Sequence, residues 1–295
     1  MPIKHLVLSG GGPAGLIMTG TLSELMKKEY FNIQDIKSIH GTSIGAGIGA
    51  MLCLKYDWED IYMYFIKRPW EKTLEIKSDD ISNMFNGGGY LDKVFNVIKN
   101  EIYLNLFKLY DITEDTTLKD FYDITNIDFY IYTCNVANYE TLELNHKSHP
   151  DLSLIKALCM SSCLPPVFRP IEYNGTYYMD GGSLHNYPLN HCINYNKGNE
   201  DEILGINMAR PITEQFNPND CNVFNYTMHL YTALRDKISN TYHQDKIKNE
   251  IILRRDDSTM SGNMWVDFFT KEEYRNKLWE IGIDEAKKYV ANLKN

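Results

Sequence analysis

A serine, an aspartate and a run of glycines stand out in this 295-residue chain, because together they can attack a carbonyl group and stabilise the product of attack. Ser43 lies in Gly41-Thr42-Ser43-Ile44-Gly45, a GxSxG pattern between a short apolar run and a small-residue segment. That context predicts a tight strand-to-helix turn with an exposed nucleophilic hydroxyl. At a helix N-terminus the dipole favours the alkoxide that develops as the serine attacks. Gly41 and Gly45 permit the turn and close packing around it. Asp180 opens Asp180-Gly181-Gly182 at a predicted strand end. With Gly181 and Gly182 beside it, the carboxylate can sit close to another group, and within hydrogen-bond reach of Ser43 it can take the serine proton directly. Gly10-Gly11-Gly12-Pro13-Ala14-Gly15 follows one strand and opens a helix. Backbone N–H groups at such a helix start favour negative charge, whether a pyrophosphate or a transient oxyanion.

The glycine run also satisfies GxGxxG, so an oxidoreductase that binds flavin or NAD is one alternative. A dinucleotide site wants an acidic residue at the end of the second strand, about 20 residues on, to hold the ribose. Here that strand runs into His40-Gly41-Thr42-Ser43, and Asp35 precedes it. A second alternative is an esterase of the α/β-hydrolase type with a Ser-His-Asp triad. His185 and His191 follow Asp180 in the right order for it, but an elbow as early as residue 43 does not suit that fold. His185 and His191 read as structural or substrate-contacting residues, and His40 as a packed strand-end residue. A third alternative is a catalytically weak binding protein.

The elements that must position these residues can be read from periodicity. His5-Leu6-Val7-Leu8 predicts a buried strand. Apolar residues at helical spacing predict a helix over 16–28, the small apolar segment 44–54 suits a buried helix, the aromatic-rich segment 56–70 is expected to be helical, and a second strand is expected over 36–40. Strands are predicted over 128–136, 141–145 and 203–208, and a helix over 151–163 that stops at Pro165 and Pro166. The two arms around Asn174-Gly175 predict a type I′ hairpin whose second arm delivers Asp180. Two further helices are expected near 220–240 and 271–292, and a loop over 79–89. The alternation predicts an α/β fold, a central mostly parallel β-sheet flanked by helices on both faces. Residues 1–195 read as the catalytic region and 196–295 as a C-terminal α/β extension packed on the same domain.

Net charge is −9, with 30 basic and 39 acidic residues spread along the chain. No basic stripe for nucleic acid is present. The six cysteines show no metal or disulfide spacing and read as buried thiols. Residues 1–15 lack a signal-peptide pattern, and no apolar run reaches the length of a membrane span. A cytoplasmic protein is expected, peripheral on membranes at most. Trp58, Tyr62, Tyr64, Phe65 and Trp70 are expected to pack in the core and its rim, with lipid-surface contact as the alternative.

The ordered set resembles the patatin-like phospholipase family: a glycine-rich loop, GxSxG, then DGG followed by Asn186-Tyr187-Pro188. Ser162-Cys163-Leu164-Pro165, with Phe168 and Pro170, is similar to that family's segment before the aspartate, and the likeness covers roughly residues 5–195. The resemblance implies a three-layer sandwich and a Ser43–Asp180 dyad without a catalytic histidine. It implies an oxyanion hole built from the N–H groups of Gly10, Gly11 and Gly12, supported by Gly15, Gly41, Gly45, Gly181 and Gly182. The implied substrate is a lipid ester at a membrane or micelle surface, hydrolysed without metal or other cofactor. Ala14 stands where the family commonly has Arg or Lys, which removes a fixed cation from the loop.

Overall fold

The run His5–Leu8 forms strand β1, and all four residues are buried. Its alternation divides the core between two faces. Leu6 and Leu8 enter a large hydrophobic cluster on one side, and Val7 joins Leu189, Cys192 and Ile203 on the other. A strand buried on both faces reads as an unbroken apolar run, which is why the sequence pattern is continuous here. The computed structural model describes residues 2–74, 92–209, 223–242, 246–254 and 264–293. The loop expected over 79–89 and Cys221 lie outside the described residues.

Seven more strands complete one sheet: β2 (Ser38–Thr42), β3 (Asp128–Asn135), β4 (Thr141–Leu144), β5 (Ile171–Tyr173), β6 (Thr176–Asp180), β7 (Ile203–Ala209) and β8 (Glu250–Arg254). Their order is β5-β6-β3-β2-β1-β7-β8, with β4 also paired to β3. The central strands from β3 to β8 are parallel, and β4, β5 and β6 join antiparallel at one side. Helices α1 (Gly15–Lys27) and α2 (Ile44–Cys53) feed the large cluster. The helix Leu189–Tyr195 covers the other face. This is the expected α/β fold with a mostly parallel sheet between helices. The five described cysteines are free and buried.

Several boundaries differ from expectation for local reasons. The helix expected over 56–70 is Trp58–Tyr62 followed by a π-helical turn, Met63–Lys67, and it ends before Pro69. Strand β2 begins at Ser38, because Ile33–Asp35 forms a capped helical turn just before it. It runs on through Gly41 and Thr42, where Gly41 pairs with Leu8 of β1. The helix expected from 151 starts at Leu154. Ser153 caps it, accepting from the Lys156 N–H, and Thr117 and Ser153 form an extended bridge.

The C-terminal elements are built into the same sheet and its helical layer. Strand β7 pairs with β1, β8 pairs with β7, and the helix Glu272–Asn292 packs along α1. Glycines permit that approach. A methyl group on Gly282 would stand 2.0 Å from the Ile17 carbonyl oxygen and 2.8 Å from the Thr21 nitrogen. Gly282→Ala is therefore expected to push the two helices apart at a cost of about 1–3 kcal/mol, read as a lower thermal midpoint. An unchanged midpoint would contradict the contact.

Arg275 on the same helix is buried and donates to the carbonyls of Ile66, Arg68 and Phe268. It thereby ties the end of the π-helical turn Met63–Lys67 to the helix Met264–Thr270. Phe65 and Trp70 are buried in the core, and Trp58, Tyr62 and Tyr64 pack against it. The aromatic segment is thus core and rim packing.

Candidate active site

Three chain segments meet at the C-terminal edge of β1 and β2, the edge at which parallel sheets present their ligand crevices. Ser43 follows β2 directly and precedes α2, with φ 55° and ψ −126°. A non-glycine residue in this region is strained, and such strain clusters where a turn must present a side chain. Two close approaches make the elbow possible. A Cβ on Gly45 would meet the Leu8 carbonyl oxygen at 2.4 Å, and one on Gly41 would meet the Ala46 backbone at 2.7 Å. The Ser43 N–H donates to Ser161 Oγ at 2.8 Å, and Ser161 Oγ donates to the Tyr132 carbonyl at 2.6 Å. This brace ties the elbow to β3, and no motif in the sequence announced Ser161.

The hairpin brings Asp180 to the same level. Asn174 and Gly175 both have positive φ, 50° and 75°, as a type I′ turn requires. Thr42 pairs with Tyr132 in β3, and the next residue of β3, Thr133, pairs with Asp180 of β6. Gly181 allows β6 to end there, since a Cβ would stand 2.2 Å from the Tyr132 carbonyl oxygen. Asp180 Oδ1 accepts the Gly182 N–H at 2.7 Å. Burial pushes the Asp180 carboxyl up to about 6. The Ser43 hydroxyl, the Gly182 N–H and the positive charge of Arg235 oppose that rise. The serine hydroxyl thus acts on a carboxyl whose proton affinity lies near neutrality.

The glycine loop passes directly over the serine. A Cβ on Gly10 would stand 3.2 Å from Ser43 Cβ and 2.6 Å from Asn186 Oδ1, and one on Gly15 would meet Ile44 at 2.4 Å. Asn186 staples this loop to the DGG segment. Its carbonyl accepts the Gly10 N–H at 3.0 Å, and its Nδ2 donates to the Gly10 carbonyl at 3.2 Å. Of the three glycines expected to serve an oxyanion, Gly10 therefore has its N–H committed. Among the described residues, the N–H groups of Gly11 and Gly12 have no backbone partner. Asp35, considered above as a ribose partner, lies in the turn before β2, at the opposite edge of the sheet.

The histidines stand elsewhere. His40 is fully buried, stacks on Tyr130 at 4.4 Å and shares a hydrogen bond with the Tyr132 hydroxyl at 2.8 Å. Burial holds it well below the usual imidazole range. His185 Nδ1 lies 2.5 Å from Thr141 Oγ1, and burial pushes its imidazole down to about 4. His191 Nδ1 lies 3.6 Å from Glu143. Among the described residues, no group of three or more His, Cys, Asp or Glu side chains is arranged to hold a metal ion.

Ser43, Asp180 and Gly10–Gly12 line a cavity that continues between α1, α2 and the helix Met264–Thr270. Its walls are mainly apolar, with Ile44, Ile48, Met51, Ile102, Trp265 and Phe268 among them. Arg235, from the helix Val223–Tyr242, also reaches this wall. No spacing in the sequence linked Arg235 to the motifs. Among the described residues, no helix is long and apolar enough to cross a membrane.

Comparison with known proteins bears on this geometry. Residues 6–193 match the family model described as patatin-like phospholipase. A probable lipid hydrolase of Invertebrate iridescent virus 6 is 27% identical over 211 residues, covering 69% of this chain and 69% of that protein. A lysophospholipase of Candida albicans is 25% identical over 216 residues, covering 68% of this chain but 14% of that protein. The crystal structure of VipD from Legionella pneumophila superposes with a TM-score of 0.54 at 16% identity, covering 99% of this chain and 67% of that one. At that identity the likeness is one of fold.

Proposed function

Given that the chain belongs to the patatin-like phospholipase family and is an ester-hydrolysing enzyme, we propose that it is a phospholipase A-like acyl hydrolase working through Ser43 and Asp180. One observation carries this reading: Ser43 and the buried Asp180 carboxyl line the same apolar cavity, with the serine hydroxyl close enough to favour the ionised carboxylate. In the proposed reaction Ser43 Oγ attacks the ester carbonyl, and its proton passes to the Asp180 carboxylate. The tetrahedral oxyanion is held by the N–H groups of Gly11 and Gly12, each contributing roughly 3 kcal/mol to lowering the barrier. Collapse expels the alcohol, which takes the proton back from Asp180. Water then attacks the acyl-serine with Asp180 again as base, and the fatty acid leaves. A long acyl chain partitions into membranes or micelles, so the substrate is met at a lipid surface.

The test is release of fatty acid from phosphatidylcholine micelles, followed across pH in excess chelator. Asp180 acts as base only when ionised, so kcat/KM is expected to fall as pH drops through the Asp180 value of about 6. The decline is about tenfold for each pH step below that point. Activity is expected to persist in chelator. An absence of fatty acid, loss of activity on chelation, or a profile flat through that region would contradict the proposal.

A further inference from the structure

The cavity at Ser43 has a polar end with an uneven charge pattern. Asp180 is the one acidic residue and Arg235 the one basic residue among the described residues lining it. Arg235 shares a helix face with Tyr231, four residues earlier. The Tyr231 hydroxyl lies 2.8 Å from Ser183 Oγ, in the turn that follows Asp180, so this face is turned toward the catalytic segment. Arg235 is close enough to Asp180 for its charge to act on the carboxyl. The glycine loop itself carries Pro13 and Ala14 and brings no cation. The rest of the wall suits a hydrocarbon chain.

An ester bound with its carbonyl at Ser43 and its acyl chain in the apolar part must direct its alcohol portion away from that chain. A neutral glyceride offers hydroxyl and ester groups on that side. A glycerophospholipid offers a phosphate a few bonds from the scissile ester. A guanidinium presents a planar fork of donors that fits phosphate oxygens. We propose that Arg235 anchors the phosphate of a glycerophospholipid or lysophospholipid substrate and so selects phosphate-bearing esters over neutral glycerides. This rests on Ser43 and Asp180 being the reacting pair. Arg235 has a second effect, since its charge favours the ionised Asp180, and that effect is the same for every substrate. A phosphate anchor acts on one substrate class alone.

The experiment compares lysophosphatidylcholine with the monoacylglycerol of the same acyl chain, using the wild type, Arg235→Gln and Arg235→Lys at a pH well above the Asp180 value. The ratio of kcat/KM for the phospholipid to that for the glyceride is expected to fall on the order of ten- to a hundredfold in Arg235→Gln. The loss should lie mainly in KM. Arg235→Lys keeps the charge without the fork and is expected to fall between; it also carries the test if Arg235→Gln does not fold. Hexadecylphosphocholine, which has a phosphate but no ester, is expected to compete with the monoacylglycerol in the wild type and less well in Arg235→Gln. Inorganic phosphate should not compete. Equal losses on both substrates would overturn the proposal and leave Arg235 as an electrostatic partner of Asp180. Competition by inorganic phosphate alone would overturn it in favour of a free-anion site. A wild type inactive on both lipids would instead remove the hydrolase reading beneath it.

Discussion

Ser43→Ala is expected to reduce lipid-ester hydrolysis by at least about a thousandfold, with the far-UV circular dichroism spectrum unchanged. The size of the effect follows from the role. Without Oγ no acyl-enzyme forms, and the oxyanion donors and the cavity are left to act on water alone. The fold should survive, because the structure uses the Ser43 backbone more than its side chain. The N–H is braced by Ser161, and the carbonyl accepts from Ala46 and Gly47. Alanine meets the same strain as serine at a φ of 55°, so the elbow need not rearrange. Near-wild-type turnover in the folded variant would remove Ser43 from the chemistry.

Asp180→Asn is expected to lower turnover on the order of a thousandfold or more. Asparagine keeps the size and can still accept the Gly182 N–H through its side-chain oxygen. It lacks the carboxylate that takes the serine proton in the proposed reaction. An unperturbed aspartate, with a reference pKa of ~3.9, is a weak base at neutral pH. Burial that raises Asp180 to about 6 makes it a better match for the task. Replacing His40, His185 or His191 by alanine is expected to leave most of the activity. His40 is packed against tyrosines, His185 is engaged by Thr141, and His191 lies beside Glu143. A folded histidine variant as inactive as Ser43→Ala would make the enzyme a Ser-His-Asp hydrolase.

The parts of this site that depend on local physics are legible in short stretches of sequence. The apolar run of β1, the GxSxG turn and the Asn174-Gly175 hairpin are written in neighbouring residues, and each forms where expected. What local signals miss is set by register. Strand β2 extends to Thr42 because Gly41 finds a partner in Leu8, which glycine's turn propensity hides. Strand β8 is hidden because its apolar run is only Ile251-Ile252-Leu253, flanked by Glu250 and Arg254, too short to signal a strand by itself. Asn186 was visible as part of a motif, but its bonds to Gly10 join segments far apart in the chain. One of them engages the Gly10 N–H, which is why the proposed oxyanion donors are Gly11 and Gly12. Arg235 is a lone basic residue on a helix, and only the packing of that helix brings it to the cavity.

Ser43 as the covalent nucleophile is tested most directly by a serine-reactive fluorophosphonate. The folded protein is treated with the probe, digested, and the modified residue is mapped by mass spectrometry. The expected result is a single adduct on Ser43, formed in the wild type and absent in Ser43→Ala. An adduct on another serine with none on Ser43, or no adduct in a protein that hydrolyses lipid esters, would contradict it.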